Sequence, residues 1–245
     1  MTAVVAWQLR ELAEVARTAA RAARPIVAGG RQRSRGLRAR PRQIADYFRS
    51  HEIRKLQLGC GPISLAGWLN ADLRPRRPEQ IFVDVRERLP FAEASVDYVF
   101  SEHMIGDLTY AQTRDLLGEC RRVLRPGGRL RLVTPSLLRL SELYVNDEQG
   151  LRSRYVQWSA TQSEHWRGVP LPGFVINTMF QEYRFVYDPA TLRRLLAEAG
   201  FDGIAEVPYG ESVDPQLRGI DSHGRVIGDP ELSGFESLTM EAVRP

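Results

Sequence analysis

The sequence is poor in residues that usually announce a mechanism. Lysine is nearly absent: of 34 basic residues only Lys55 is a lysine, and the rest are arginine. Arginine grips phosphate and carboxylate bidentately, yet it also does most of the surface work of lysine. The coding preference of a GC-rich genome is therefore the favoured reading of the excess. Cysteine is scarce too. Cys60 and Cys120 are too few for a disulfide framework, so a reducing cytoplasm is the expected compartment. No apolar run reaches the ~18 residues of a membrane span. No compact apolar stretch with a small-residue cleavage site suggests a secretory leader. The four histidines (His51, His103, His165 and His223) show no ligand spacing along the chain, and there is no Asp-Asp pair. An essential metal is not expected.

What is present makes an ordinary globular chain. Its 245 residues are 43% hydrophobic and 26% charged. That excludes whole-chain disorder, collagen and low complexity, and gives one domain with room for an appendage. The net charge of +4 hides an asymmetry. Residues 1–50 hold 11 arginines against Glu11, Glu14 and Asp46, a balance of +8; residues 51–245 hold 23 basic and 27 acidic groups, a balance of −4.

The basic end reads as an arm. Val5, Leu9, Leu12, Ala16, Ala19 and Ala23 form one stripe of a helix over about Val4 to Arg24, ended by Pro25 and Gly29-Gly30. The stripe turns to alanine after Leu12. That suits close packing or a homodimer first and a membrane surface second; nucleic acid is not an expected partner. An Arg-rich linker, Arg31 to Arg42, and a short helix, about Arg42 to Ser50, lead into the main domain, with the boundary at residue 50. A peripheral place at the inner face of a membrane is compatible with such an arm.

From Lys55 the pattern is regular. Lys55-Leu56-Gln57-Leu58 predicts a strand that runs into Gly59-Cys60-Gly61-Pro62, where glycines permit a sharp turn and close ligand approach. Position 64 is Ser where a dinucleotide fingerprint would place a third glycine. Trp68 to Leu73 and Ile81 to Val85 read as strands that end in Asp72 and Asp84, and Ser95 to His103 as a fourth. Thr109 and Gln112 form a capping box ahead of a helix whose buried face is Leu116, Leu117, Cys120, Val123 and Leu124; Pro126-Gly127-Gly128 stop it, and Arg129 to Thr134 is the fifth strand. Strands alternating with helices predict an α/β, doubly wound, parallel sheet with ligands at the carboxyl ends of its strands.

Five runs in this order, LQLGCGP, NADL, VDVRERLPF, SVDYVFSEHM and ECRRVLRPGGRLRLVTP, resemble a class I S-adenosylmethionine-dependent methyltransferase. Within that class the chain is similar to small methyltransferases associated with polysaccharide and glycoconjugate assembly. The tail GIDSH and ESLTMEA also looks like that group, and the likeness covers Lys55–Pro245. The resemblance implies a seven-stranded, mostly parallel Rossmann-like sheet with an antiparallel last strand, and S-adenosylmethionine as cofactor. It further implies that Gly59, Cys60 and Gly61 pass the methionine and ribose, and that Asp72, with Leu73, binds the ribose hydroxyls. Asp84 and Val85 would read the adenine, Leu89-Pro90-Phe91 would wall it, and Ser101, Glu102 and His103 would lie near the sulfonium; Asp97 is structural.

Two departures stand out. Only Pro62 to Gly67 separate the glycine loop from the second strand, so the first crossover helix shrinks to about a turn. Gly106-Asp107 stand where the subgroup often has Glu-His.

The substrate side is less regular. Residues 147–187 hold 8 of the chain's 21 aromatics, which predicts a lid insertion, a small helical core, or both. Asp188-Pro189 open another helix, closed by Gly200; Gly203 to Tyr209 and Ser237 to Val243 are strands six and seven. Their connection carries Arg218, Asp221, Ser222 and His223 toward the ligand edge. A hydroxyl acceptor needs a base. His103 is the first candidate, then His223 and His165, with Asp107 and Glu182 as carboxylate alternatives and His51 as surface. The expected activity is O-methylation of a sugar, glycan, glycolipid or other small hydroxylated acceptor. RNA or protein methylation, aminopropyl transfer and an inactive cofactor-binding subunit are the rivals.

Overall fold

The computed structural model describes residues 33–145, 150–162, 168–169, 171–177 and 183–245. The expected arm helix, His165, Trp166, Phe180 and Glu182 lie outside them. A first helix, α1, runs through residues 33–50. It precedes strands β1 (Lys55–Leu58), β2 (Leu69–Asp72), β3 (Ile81–Phe82) and β4 (Val96–Glu102). Then come a 3-10 turn (Ile105–Asp107), α2 (Tyr110–Val123), β5 (Leu124–Pro135), α3 (Leu137–Val145), α4 (Leu151–Gln162) and α5 (Leu171–Asn177). The chain ends with α6 (Pro189–Glu198), β6 (Asp202–Glu206), α7 (His223–Ile227), α8 (Pro230–Glu236) and β7 (Ser237–Val243). The strands form one seven-stranded sheet in the order β3-β2-β1-β4-β5-β7-β6. Neighbours are parallel except that β7 runs antiparallel to both β5 and β6. This is the expected doubly wound, Rossmann-like architecture with its reversed last strand.

Local signals placed the central elements. The Thr109 side chain accepts from the Gln112 N–H, and the Gln112 side chain accepts from the Thr109 N–H, which starts α2 where the capping box predicted. Thr113, Leu116, Leu117, Cys120 and Val123 turn inward onto the sheet. Asp188 caps α6 through the Thr191 N–H, and Pro189 fits the first turn because its missing N–H is not needed there. The expected stop at Pro126-Gly127-Gly128 lies inside β5 as a bulge: Val96 faces Leu124, but Tyr98 already faces Arg129.

Two boundaries differ from the sequence reading. The expected linker, Arg31 to Arg42, is helical from residue 33 onward, so α1 carries Pro41 in its interior. An interior proline costs about 3 kcal/mol, and tertiary contacts offset it. Arg33 pairs with Glu87 at 2.7 Å, and Gln43 donates to the Pro78 carbonyl at 3.1 Å. Gly36 lies flat on Phe82, where a Cβ would stand 2.5 Å from the Phe82 Cβ. The division at residue 50 also does not separate packing units. Tyr47 belongs to the main core, with Ile44 and Phe48 packed against it.

Pro62 to Gly67 form no helix, as the short spacing predicts, and α1 packs into the same core as α2 through Ile44, Tyr47 and Phe48. The Tyr47 hydroxyl accepts from the Lys55 N–H at 2.9 Å and reaches the carbonyls of Gly67 at 3.0 Å and Lys55 at 3.1 Å.

The main core covers one face of the sheet, where Leu56, Leu69, Val99, Leu130 and Ala242 lie in register, and a smaller core of Trp68, Phe100, Val133 and Leu217 lies on the other. A second core unites Leu140 and Leu143 of α3, Tyr155 of α4, Phe174 and Val175 of α5, and Leu232 of α8. The aromatic insertion is thus at least a small helical unit with its own interior. Among the described residues, no helix is long and apolar enough to cross a membrane.

Candidate functional site

A cavity of about 380 Å³ opens at the carboxyl ends of β1, β2 and β4. Gly59, Gly61, Asp72, Leu73, Asp84, Val85, His103 and Asp107 all line it, as do Arg74, Arg86, Met104, Leu108, Gln112 and Arg184. Eight residues singled out in the sequence therefore meet around one space.

Their roles differ in detail. Gly59 has φ +70°, and a Cβ there would stand 2.4 Å from the Met104 Cγ, so this glycine makes room for Met104. Gly61 has φ +54° with nothing within 4 Å of a built Cβ, so it is the glycine whose open side faces a ligand. The Asp72 carboxylate is held from both sides: it accepts from the Gly61 N–H at 2.8 Å and from the Arg74 N–H at 2.7 Å. Each oxygen keeps a further lone pair, the arrangement a vicinal diol requires.

Asp84 is buried and gripped by Arg86, with Nε at 2.8 Å and Nη2 at 2.7 Å. That hydrogen-bonded guanidinium holds its carboxyl below the usual range. The expected adenine reader thus carries a resident partner.

Several expected contacts are not on the cavity wall. Cys60 is buried, and burial, helped by the charge of Asp72, pushes its thiol up to about 12. Leu89 and Phe91 belong to the core, where Phe91 stacks on Phe48 of α1, so they do not wall this cavity. Ser101 is also buried in the sheet.

Glu102 turns to a different task. Its carboxylate accepts from the Ser222 hydroxyl at 2.7 Å, the Ser222 N–H at 2.9 Å, the His223 N–H at 3.1 Å and the Tyr209 hydroxyl at 3.2 Å. It clamps the β6–α7 loop. Of Ser101, Glu102 and His103, only His103 reaches the cavity. Asp97, as expected, is structural: it accepts from the Arg54 N–H and pairs with Arg125. His51 stacks on Tyr47, away from the cavity wall.

His103 sits in a left-handed backbone conformation, φ +51°. For a non-glycine residue this costs energy and persists only where the surrounding structure holds the backbone. Its ring stacks on His223 with centroids 3.9 Å apart. Behind both lies Glu236, only 2% exposed: its Oε1 is 3.1 Å from His223 Nε2 and 3.9 Å from His103 Nε2. Tyr155 donates to Glu236 Oε2 at 2.6 Å. Burial pushes the His103 imidazole down to about 4, more than the charge of Glu236 raises it. Burial opposes ionisation of Glu236, but the histidines and Tyr155 outweigh it and hold its carboxyl below the usual range.

Arg131, fully buried on β5, anchors the loop that brings His223. It pairs with Asp221, donates to Glu241 of β7 at 2.5 Å, and donates to the Glu211 carbonyl at 2.9 Å. Asp221 also accepts from the Gly210 N–H at 2.7 Å.

Gly106 explains one departure. A Cβ there would stand 3.0 Å from the Tyr183 ring, and its carbonyl accepts from the Arg184 N–H at 2.8 Å. The small residue lets the segment that leads out of the aromatic insertion close against the cavity. Asp107 follows on the rim.

Glu236 and Arg131 escaped the sequence reading. A signal for Glu236 did exist. An antiparallel β7 begins at the ligand edge where its parallel neighbours end, so the acid just before it lies there. Arg131 offered none, because a strand arginine reads as an outward-facing one.

The methyltransferase domain family matches residues 69–132, from β2 into β5. No curated protein matches the chain. Among solved structures, a SAM-dependent methyltransferase from Archaeoglobus fulgidus is 18% identical with TM-score 0.45, over 84% of this chain and 92% of that one. Phosphoethanolamine N-methyltransferase 2 of Haemonchus contortus in complex with S-adenosyl-L-methionine is 16% identical with TM-score 0.42, over 79% and 49%. The CurJ carbon methyltransferase is 14% identical with TM-score 0.42, over 80% and 49%. This chain therefore spans about half the length of the last two.

Proposed function

From the premise that this chain carries an S-adenosylmethionine-dependent methyltransferase domain, we propose that it transfers the methyl group to a hydroxyl of a sugar, glycan or glycolipid. The observation that carries the reading is the meeting of Gly61, Asp72 and His103 on one cavity wall. The cofactor supplies an electrophilic methyl group on a sulfonium. The chain must seat it, align the acceptor and take the acceptor's proton. Gly61 and Asp72 seat the ribose end, and Asp84 with Val85 the base. The His103–His223–Glu236 group stands where a hydroxyl proton has to leave. Alignment of reacting groups supplies several kcal/mol, and a positioned base typically 10²–10⁴-fold. The arm before residue 33 serves a homodimer or a membrane-surface contact in the cytoplasm.

Calorimetry tests the cofactor seat. Asp72→Ala weakens S-adenosylmethionine binding by at least about tenfold, near 1.4 kcal/mol; unchanged affinity sinks the assignment. Labelled methyl transfer into separated cell lipid, oligosaccharide and RNA fractions tests the acceptor. Label in RNA alone removes the sugar reading, and cofactor binding without transfer to any fraction leaves an inactive cofactor-binding subunit.

A further inference from the structure

Glu236, His223 and His103 come from the end of α8, the start of α7 and the turn after β4, and one ligand-type atom of each lies within 4.8 Å of the others. The carboxylate is the most telling member. Glu236 Oε1 is buried and accepts no well-aligned hydrogen bond, although a histidine nitrogen stands 3.1 Å away. A buried charged oxygen left in this way is costly. Two imidazole nitrogens stand 3.1 Å and 3.9 Å from it, and the His103 Nε2 also lies 3.4 Å from the Ser237 hydroxyl.

We propose that His103, His223 and Glu236 form a binding site for one divalent transition-metal ion of the zinc class. Two imidazoles and one carboxylate form a donor set that zinc accepts, with a fourth position left to solvent or substrate. Bonds of about 2.1 Å to a tetrahedral ion set its ligand atoms about 3.4 Å apart. The observed separations from Glu236 Oε1, 3.1 Å and 3.9 Å, bracket that edge. In the structure the two histidine rings are stacked, with centroids 3.9 Å apart and an interplanar angle of 23°, so ion binding requires the rings to turn apart.

Each donor is also oriented by a contact of its own, as metal ligands generally are. Tyr155 holds Glu236 through the other carboxylate oxygen. Glu102 holds the backbone of Ser222 and His223, and the buried Arg131–Asp221 pair holds the loop that precedes them. His103 is held by its backbone turn and is the member of the three that lines the cavity. The inference depends neither on the acceptor's identity nor on methyl transfer; with an ion bound, the imidazole nitrogens are its ligands and are not bases, so the base role assigned to this group above belongs to the metal-free chain.

The test uses the full chain without a histidine tag, stripped of metal by a chelator. Zn²⁺ is titrated calorimetrically, and Co²⁺ is followed by its visible absorption. The expected result is one ion per chain and the intense band of low-coordinate Co²⁺. Glu236→Gln and His223→Ala each weaken Zn²⁺ binding by at least about tenfold, a 1.4 kcal/mol change, whereas His51→Ala leaves it unchanged. Circular dichroism and S-adenosylmethionine affinity report on fold and cofactor seat independently, so loss of the cofactor reading is distinguishable from loss of this one. A native chain with no Zn²⁺ uptake and no Co²⁺ band overturns the proposal, whatever the variants do. Folded Glu236→Gln and His223→Ala chains that bind Zn²⁺ as the native chain does overturn it as well.

Discussion

The two sides of the sheet are built by different means. On the side β3-β2-β1-β4, parallel strands end in short loops, and each ligand-facing group lies within a few residues of its own strand. Gly61 follows β1, Asp72 ends β2, and Asp84 follows β3. On the side β5-β7-β6, the side chains that meet are far apart in the chain. Arg131 reaches Asp221 across 90 residues and Glu241 across 110, and Tyr155 reaches Glu236 across 81. The first side is a row of locally encoded contacts. The second is a clamp that closes only when the whole sheet has formed.

The comparison breaks most sharply at Arg131. Arg131→Met leaves Asp221 and Glu241 buried without their partner, which costs about 3–5 kcal/mol. Urea denaturation measures it. Cofactor affinity should stay within about threefold if the two sides are as separate as their contacts suggest, a difference near 0.6 kcal/mol. A large loss of cofactor affinity in a chain that stays folded means the two sides are coupled.

On the parallel side, Gly59→Ala forces a Cβ to within 2.4 Å of Met104 at φ +70°. Such strain costs about 1–3 kcal/mol, and because Met104 lines the cavity, cofactor binding weakens along with stability. An alanine variant with native affinity in calorimetry removes Gly59 from the seat.

The smallest effect belongs to the Asp188 cap of α6. Asp188→Ala costs about 1 kcal/mol. The Thr191 N–H and hydroxyl hold the native carboxyl below its usual value. Its contribution is therefore complete above the unfolded pKa of about 3.9 and fades as pH falls through the lower folded value. Denaturation of both proteins across acid pH should show the difference vanish there; a constant difference means the cap does not act through its charge.

What was legible follows the same division. Five strands, the α2 capping box, the α6 cap and the acids at β2 and β3 stood in the sequence because hydrophobic period, capping chemistry and turn residues act over a few positions. The reading of Arg31 to Arg42 as a linker cut α1 short, since the contacts that hold the helix through Pro41 lie on Glu87, Phe82 and Pro78. Glu102 was a cofactor contact only as the family resemblance implied, and nothing local shows that Ser222 and His223 come to meet it.

The sequence by itself determined the α/β class, the alternation of strands and helices and the glycine–acid wall of the cavity, all consequences of short-range patterning. Only the tertiary structure decided that α1 joins the main core, that Arg131 is a buried anchor, and that His103, His223 and Glu236 are neighbours. The last two arrangements depend on the reversal of β7. It brings the start of the last strand, rather than its end, to the ligand edge, and no local window contains a residue that reports it.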